Sequence, residues 1–274
     1  MRHVEDRFHG AGGVEIYCQS WLPAQEPRAV IVLAHGLGEH SGRYGNLVER
    51  IVPAGYAVHA LDHRGHGHSG GPRALIDRIE HALVDLDTIV SRAGDRPILF
   101  GHSMGATLAL AYALRHEDRV SGLLLSSPLA TLDAGPPLVR AAARALSAVA
   151  PRVPMIAVDS SGLSRDPAVI RAYREDPLVF HGRLPVRTIA ELVKEVATFP
   201  ARMHEVKAPL LIVHGTEDPL VPIGASEMVL AGAMSGDKAL LRYEGCYHEL
   251  FNELQPDRGR ALDDVVAWLD ARSR

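Results

Sequence analysis

Residues 98–114 read Ile-Leu-Phe-Gly-His-Ser-Met-Gly-Ala-Thr-Leu-Ala-Leu-Ala-Tyr-Ala-Leu. Three apolar residues suit a buried strand, and Ala106–Leu114 suits a helix. Gly101-His102-Ser103-Met104-Gly105 lies between them and matches G-x-S-x-G. A sharp strand-to-helix turn needs small residues on both flanks, which Gly101 and Gly105 supply. Such a turn lifts Ser103 out of the sheet and seats it at a helix N-terminus. There the helix dipole and free N–H groups favour developing negative charge. A glycine-rich turn with an incidental serine would share the pentapeptide. It would have no reason to share the strand–turn–helix context.

The pattern extends outward from this turn. Val14–Ser20, Ala29–Ala34, Tyr56–Leu61, Pro97–Phe100, Gly122–Leu125, Pro209–Val213 and Lys238–Tyr243 read as strands. Arg43–Pro53, Ile79–Arg92, Met104–Arg115, Gly224–Ala233 and Asp257–Ala271 read as helices between them. Apolar runs that do not alternate suit strands covered on both faces, and strand–helix alternation predicts a doubly wound α/β domain with a mostly parallel sheet. From Leu129 to Glu205 no clear strand is expected, and eight prolines separate helical pieces. Strands resume immediately afterwards. The division is therefore residues 1–128 and 206–274 as the catalytic core, with 129–205 as an inserted helical cap. A second, independent helical domain is the alternative.

Composition removes other classes. The 274 residues are 47% apolar and 23% charged, so the chain can bury a large core and is not disordered. A net charge of −4 offers no basic excess for nucleic acid. Cys18 and Cys246 cannot build a disulfide framework and suit a reducing compartment. No signal-peptide h-region or 18-residue apolar run appears, so a cytoplasmic protein is expected.

A serine nucleophile needs a base and an orienting acid, which in this fold follow in the order Ser, acid, His. Glu217 and Asp218 both stand just past Pro209–Val213, before Pro219. Asp before Pro also suits a plain turn. His248 falls in the loop after the last strand, one strand–helix unit further on. Position selects it, because the chain has 15 histidines. His35-Gly36-Leu37-Gly38 follows Ala29–Ala34, where an oxyanion hole would draw one N–H from Leu37 and a second from Met104. His63, His66 and His68 offer imidazoles without a completing carboxylate or thiolate cluster, so no metal is expected.

Several segments resemble the α/β-hydrolase superfamily and, more narrowly, monoacylglycerol lipases. They are HGLGEHSGRY (35–44), DHRGHGHSGG (62–71), GHSMG (101–105), DSSGLSR (159–165), YREDPL (173–178) and GCYHE (245–249). The similarity runs from about residue 28 to 253. It implies a Ser103–Asp218–His248 esterase with a helical cap, cleaving single-chain glycerol esters without a cofactor. It also implies that Glu39, Arg43 and Tyr173 stand near the glycerol head group. Polar groups that bind two free hydroxyls would discriminate against substrates lacking them. Glu39 and Arg43 are four apart, so a simple ion pair is equally open.

Leu138, Ala142, Leu146 and Val149 share one side of a helix, with Arg140 and Arg144 opposite. This face is expected to pack on the cap's interior, with acyl-chain or lipid-surface contact left open. The same triad would serve a lysophospholipase or general carboxylesterase. An inactive hydrolase-like binding protein is the non-enzymatic alternative.

Overall fold

Apolar residues that run without alternation must be buried on both sides, and the strands split them accordingly. Val32, Leu99, Leu123, Leu125 and Ile212 face one core, while Ile31, Leu33, Phe100, Leu124 and Val213 face the other. The structure, a computed structural model, describes residues 1–132 and 136–273, and of Pro137, Val139 and Arg140 the backbone alone. Its strands are β1 (Arg2–His9), β2 (Glu15–Leu22), β3 (Ala29–Ala34), β4 (Tyr56–Leu61), β5 (Ile98–His102), β6 (Gly122–Ser126), β7 (Pro154–Ala157), β8 (Arg183–Pro185), β9 (Leu210–Gly215) and β10 (Lys238–Tyr243). Eight form one sheet, in the order β1-β2-β4-β3-β5-β6-β9-β10. β2 pairs antiparallel with β1 and with β4, and every other pairing in that sheet is parallel.

Helices cover both faces. α1 (Gly45–Ile51) and α9 (Asp257–Asp270) pack on one core. α2 (Ile79–Arg92), α3 (Met104–Ala113) and α8 (Gly224–Gly232) pack on the other. Every residue of α3 is buried, because it lies on the sheet and touches neighbouring helices as well. The chain steps from β3 to β4 on one side and then returns to place β5 on the other. That reversal opens a crevice at the carboxyl ends of β3 and β5, where α/β sheets bind ligands.

Between β6 and β9 the chain carries α4 (Pro137–Val149), α5 (Pro167–Glu175), α6 (Val186–Val196) and α7 (Phe199–Arg202). Leu192, Val196, Phe199 and Met203 belong to the same buried cluster as α2 and α3, so α6 and α7 are rooted in the sheet's own core.

Three features depart from the sequence reading. β1 is unexpected, because RHVEDRFH is an edge strand with only Phe8 buried and so lacks an apolar signature. β7 and β8 form a two-stranded antiparallel ribbon in the segment expected to hold no strand. They have four and three residues, and β7 is exposed throughout, so neither leaves a periodic signal. The aliphatic face of α4 does not pack inward. Leu138, Ala142, Leu146 and Val149 are exposed, and the buried side carries Ser147. α4 packs against α6. Arg144 is exposed, and the Arg140 side chain lies outside the described residues.

Candidate active site

The turn after β5 is as tight as its sequence requires. Ser103 adopts φ 52° and ψ −117°, a conformation that a non-glycine residue rarely takes. It is held from both sides: its N–H donates to Ser126 O at 3.0 Å, and its carbonyl accepts from Ala106 and Thr107 at 3.0 and 3.2 Å. A Cβ on Gly105 would stand 2.0 Å from Ala34 O, and one on Gly101 would stand 2.5 Å from Ala106 Cα. Only glycine lets α3 start this close to β3. Ser103 is half-buried and faces a cavity of about 360 Å³.

Asp218 meets His248, which lines the same cavity. His248 Nδ1 lies 2.6 Å from Asp218 Oδ2. A carboxylate only accepts, so Nδ1 carries the proton and Nε2 is left as the basic nitrogen. Asp218 Oδ1 accepts from the backbone N–H groups of Leu220 and Val221 at 2.8 and 3.0 Å. His214 Nε2 lies 3.2 Å from Asp218 Oδ2, and His214 Nδ1 lies 2.6 Å from Ser226 Oγ. Burial alone would raise the Asp218 pKa, but the hydrogen bonds from His214 and His248 outweigh it. They hold the carboxyl well below the usual carboxylate range. Glu217, the local rival, is exposed. Gly215 is again obligatory, since a Cβ there would stand 2.3 Å from Cys246 O and Tyr247 O.

The loop bearing His248 is fastened on all sides. Ser127 Oγ donates to His248 O at 2.9 Å, and Glu249 N donates to Leu163 O at 2.7 Å. Arg165, at the end of DSSGLSR, donates to Glu253, Asp257 and the Cys246 sulfur. Cys246 is fully buried, and burial pushes its thiol up to about 12, so it behaves as a packed, unreactive side chain. The His102 ring lies tilted against His248 with centroids 4.6 Å apart, and burial followed by that neighbour lowers its pKa to about 4, which keeps it neutral.

The loop after β3 closes the opposite side. Leu37 lines the cavity, and Met104 opens α3 where its N–H has no intrahelical acceptor. Gly36 N donates to Glu39 Oε1 at 2.6 Å, and Phe180 N donates to Gly38 O at 2.7 Å. The second contact ties the 173–181 segment to this loop. Gly38, at φ +81°, takes a conformation that suits glycine.

Glu39, Arg43 and Tyr173 come together at one end of the cavity. Arg43 Nη1 donates to Glu39 Oε2 at 2.6 Å, and its carbon Cζ lies 4.7 Å over the Tyr173 ring. The ion pair and the placement on the cavity wall therefore coexist. Two further residues complete this site. Glu249 accepts from Arg43 Nη1 and Nη2 at 2.6 and 2.8 Å, and His214 braces Asp218. Glu249 and Arg43 are far apart in the chain, and neither Glu249 nor His214 sits in a spacing pattern that marks it. Most of the remaining wall is apolar, with Leu129, Leu132, Ile156, Leu184 and Leu192 among it.

The family model described as serine aminopeptidase, S33 matches residues 25–255. A monoacylglycerol lipase of Mycolicibacterium smegmatis is 41% identical over 271 residues, covering 97% of this chain and 96% of the relative. A monoglyceride lipase of Mus musculus is 34% identical, covering 96% of this chain and 89% of the relative. The crystal structure of a Paleococcus ferrophilus monoacylglycerol lipase superposes with a TM-score of 0.86 at 32% identity, covering 94% of this chain and 99% of that one.

Proposed function

The chain belongs to the serine aminopeptidase S33 family, alongside the monoacylglycerol lipases, and from that premise we propose that its cavity cleaves monoacylglycerols to glycerol and free fatty acid. It is a serine hydrolase acting on carboxylic esters through the α/β-hydrolase fold. The observation that carries the residue assignment is the His248–Asp218 contact at 2.6 Å, beside a backbone-strained Ser103 facing the same cavity.

His248 Nε2 takes the Ser103 proton as the hydroxyl attacks the ester carbonyl. Asp218 fixes the imidazole tautomer and stabilises the imidazolium. The N–H groups of Leu37 and Met104 receive the oxyanion. His248 then protonates the leaving glycerol oxygen. Water activated by His248 releases the fatty acid and restores Ser103. No metal or cofactor takes part in these steps. The apolar walls take the acyl chain, and Glu39, Arg43 and Tyr173 take the glycerol end.

Residues 129–205 serve as the cap, its front formed by α4, α5 and the β7–β8 ribbon and its base by α6 and α7. We place the protein in the cytoplasm, in keeping with its two free, buried cysteines. No helix among the described residues is long and apolar enough to cross a membrane. Contact with a lipid surface runs through the outward face of α4, where Leu138 and Val149 are 81% and 82% exposed.

The test is a substrate panel of mono-, di- and triacylglycerols and p-nitrophenyl esters. Monoacylglycerol should be preferred, and Ser103→Ala should lose about 10⁴-fold or more in kcat. A preference for triacylglycerol would overturn the substrate class. Loss of monoacylglycerol and p-nitrophenyl ester activity in equal proportion on replacing Glu39 and Arg43 would overturn the head-group assignment.

A further inference from the structure

The polar end of the cavity holds two carboxylates and one guanidinium. Arg43, Glu39 and Glu249 have side chains only 10%, 5% and 5% exposed. Both Nη1 hydrogens of Arg43 are spent, one on Glu39 Oε2 and one on Glu249 Oε1, and Nη2 donates to Glu249 Oε2. The remaining partners are neutral: Gly36 N and Tyr44 Oη donate to Glu39 Oε1, and Asn252 Nδ2 donates to Glu249 Oε2. His102, also on this wall, is kept uncharged by burial. One unit of negative charge is therefore left without a counter-charge.

We propose that Glu249, with Glu39, makes this end of the cavity an electrostatic filter that admits esters of uncharged polyols and excludes esters whose alcohol carries a phosphate. The inference rests on the monoacylglycerol reading and sharpens its substrate class. Glu39 Oε2 and Glu249 Oε1 each accept one hydrogen bond, which leaves a lone pair apiece for a hydroxyl donor. A vicinal diol supplies two such donors. A phosphate dianion supplies none. It also finds the Nη1/Nη2 edge of the guanidinium already held by Glu249 and Nη1 fully engaged, so end-on bidentate pairing with a phosphate is closed to it. One unit charge at about 6 Å in an effective dielectric of about 20 corresponds to roughly 100-fold discrimination for each unit of phosphate charge, which sets the least effect expected.

The experiment compares kcat/KM for 1-lauroylglycerol and 1-lauroylglycerol 3-phosphate, each divided by the value for p-nitrophenyl laurate. The wild type should favour the neutral ester by about 100-fold or more. Glu249→Gln and Glu249→Val should each narrow that ratio at least tenfold, through a gain on the phosphate ester. An unmoved ratio in folded variants would overturn the proposal, as would wild-type rates within tenfold of each other. If neither variant folds, product inhibition of the wild type decides: glycerol should inhibit and glycerol 3-phosphate should not, and equal inhibition would overturn the proposal. Should 1-lauroylglycerol fare no better than a methyl ester of the same acid, the monoacylglycerol reading fails and takes this inference with it. Failure of the filter alone appears as good hydrolysis of both glycerol esters.

Discussion

Ser103 sits in a backbone conformation that costs on the order of 1–3 kcal/mol. It persists because the hydrogen bonds on either side of it over-determine the turn. Asp218 is set with comparable redundancy, by two backbone donors and two imidazoles. Asp218→Asn should keep the fold but present a donor to His248 Nδ1, which favours the wrong tautomer. We expect kcat to fall by about 10³- to 10⁴-fold with little change in KM, measured by steady-state hydrolysis of a soluble ester. A loss below tenfold would show that Asp218 does not orient the base. Ser103 and His248 were readable as candidates because each follows a strand end. His214 and Glu249 were not, since only folding brings His214 against Asp218 and Glu249 against Arg43.

Elements carry the next layer. α3 begins so close to β3 that Gly105 cannot gain a methyl group without moving the helix. Gly105→Ala should shift Ser103, and a displacement of about 1 Å costs roughly 100-fold in rate. Labelling with a fluorophosphonate should slow in the same proportion, and an unchanged labelling rate would contradict the packing argument. α4 shows the opposite relation between sequence and packing. Its aliphatic face looks like a buried stripe, yet that face is exposed and the buried position is Ser147. A face of Leu138, Leu146 and Val149 left in water suits a lipid interface. Leu138→Ser with Val149→Ser should weaken co-sedimentation with anionic vesicles at least fivefold while sparing hydrolysis of short soluble esters. Equal binding by wild type and variant would remove α4 as the contact. The β7–β8 ribbon escaped sequence reading because a pair of three- or four-residue exposed strands has no period to detect.

The whole molecule is poised against acid. His35, His63, His66 and His102 are buried in the fold, and burial leads the lowering of all four pKa values. His63 falls to about 3, and His66 and His102 to about 4. Among the described residues, both ring nitrogens of His63 and Nε2 of His66 have no hydrogen-bond partner. Unfolding returns each ring to about 6.5, so between that value and the folded one the unfolded chain binds more protons. Stability is therefore full above about pH 6.5 and falls as the pH drops, by about 1 kcal/mol per pH unit for each ring. The melting temperature of Ser103→Ala should decline steeply from pH 6.5 to 5, before carboxylates titrate. A flat profile over that range would contradict it.

The sequence by itself determined the parallel core, the tight glycine-flanked turn at Ser103 and the placement of Asp218 and His248 just past strand ends. These depend on local rules: apolar runs, obligatory glycines and strand ends that recur along the chain. Tertiary structure alone decided which way α4 faces, that α6 and α7 are rooted in the sheet's core, and that Glu249 and Glu39 share one arginine. Those outcomes depend on which surfaces meet across long separations. Burial and charge pairing at such contacts are properties of the assembled fold, and no local spacing encodes them.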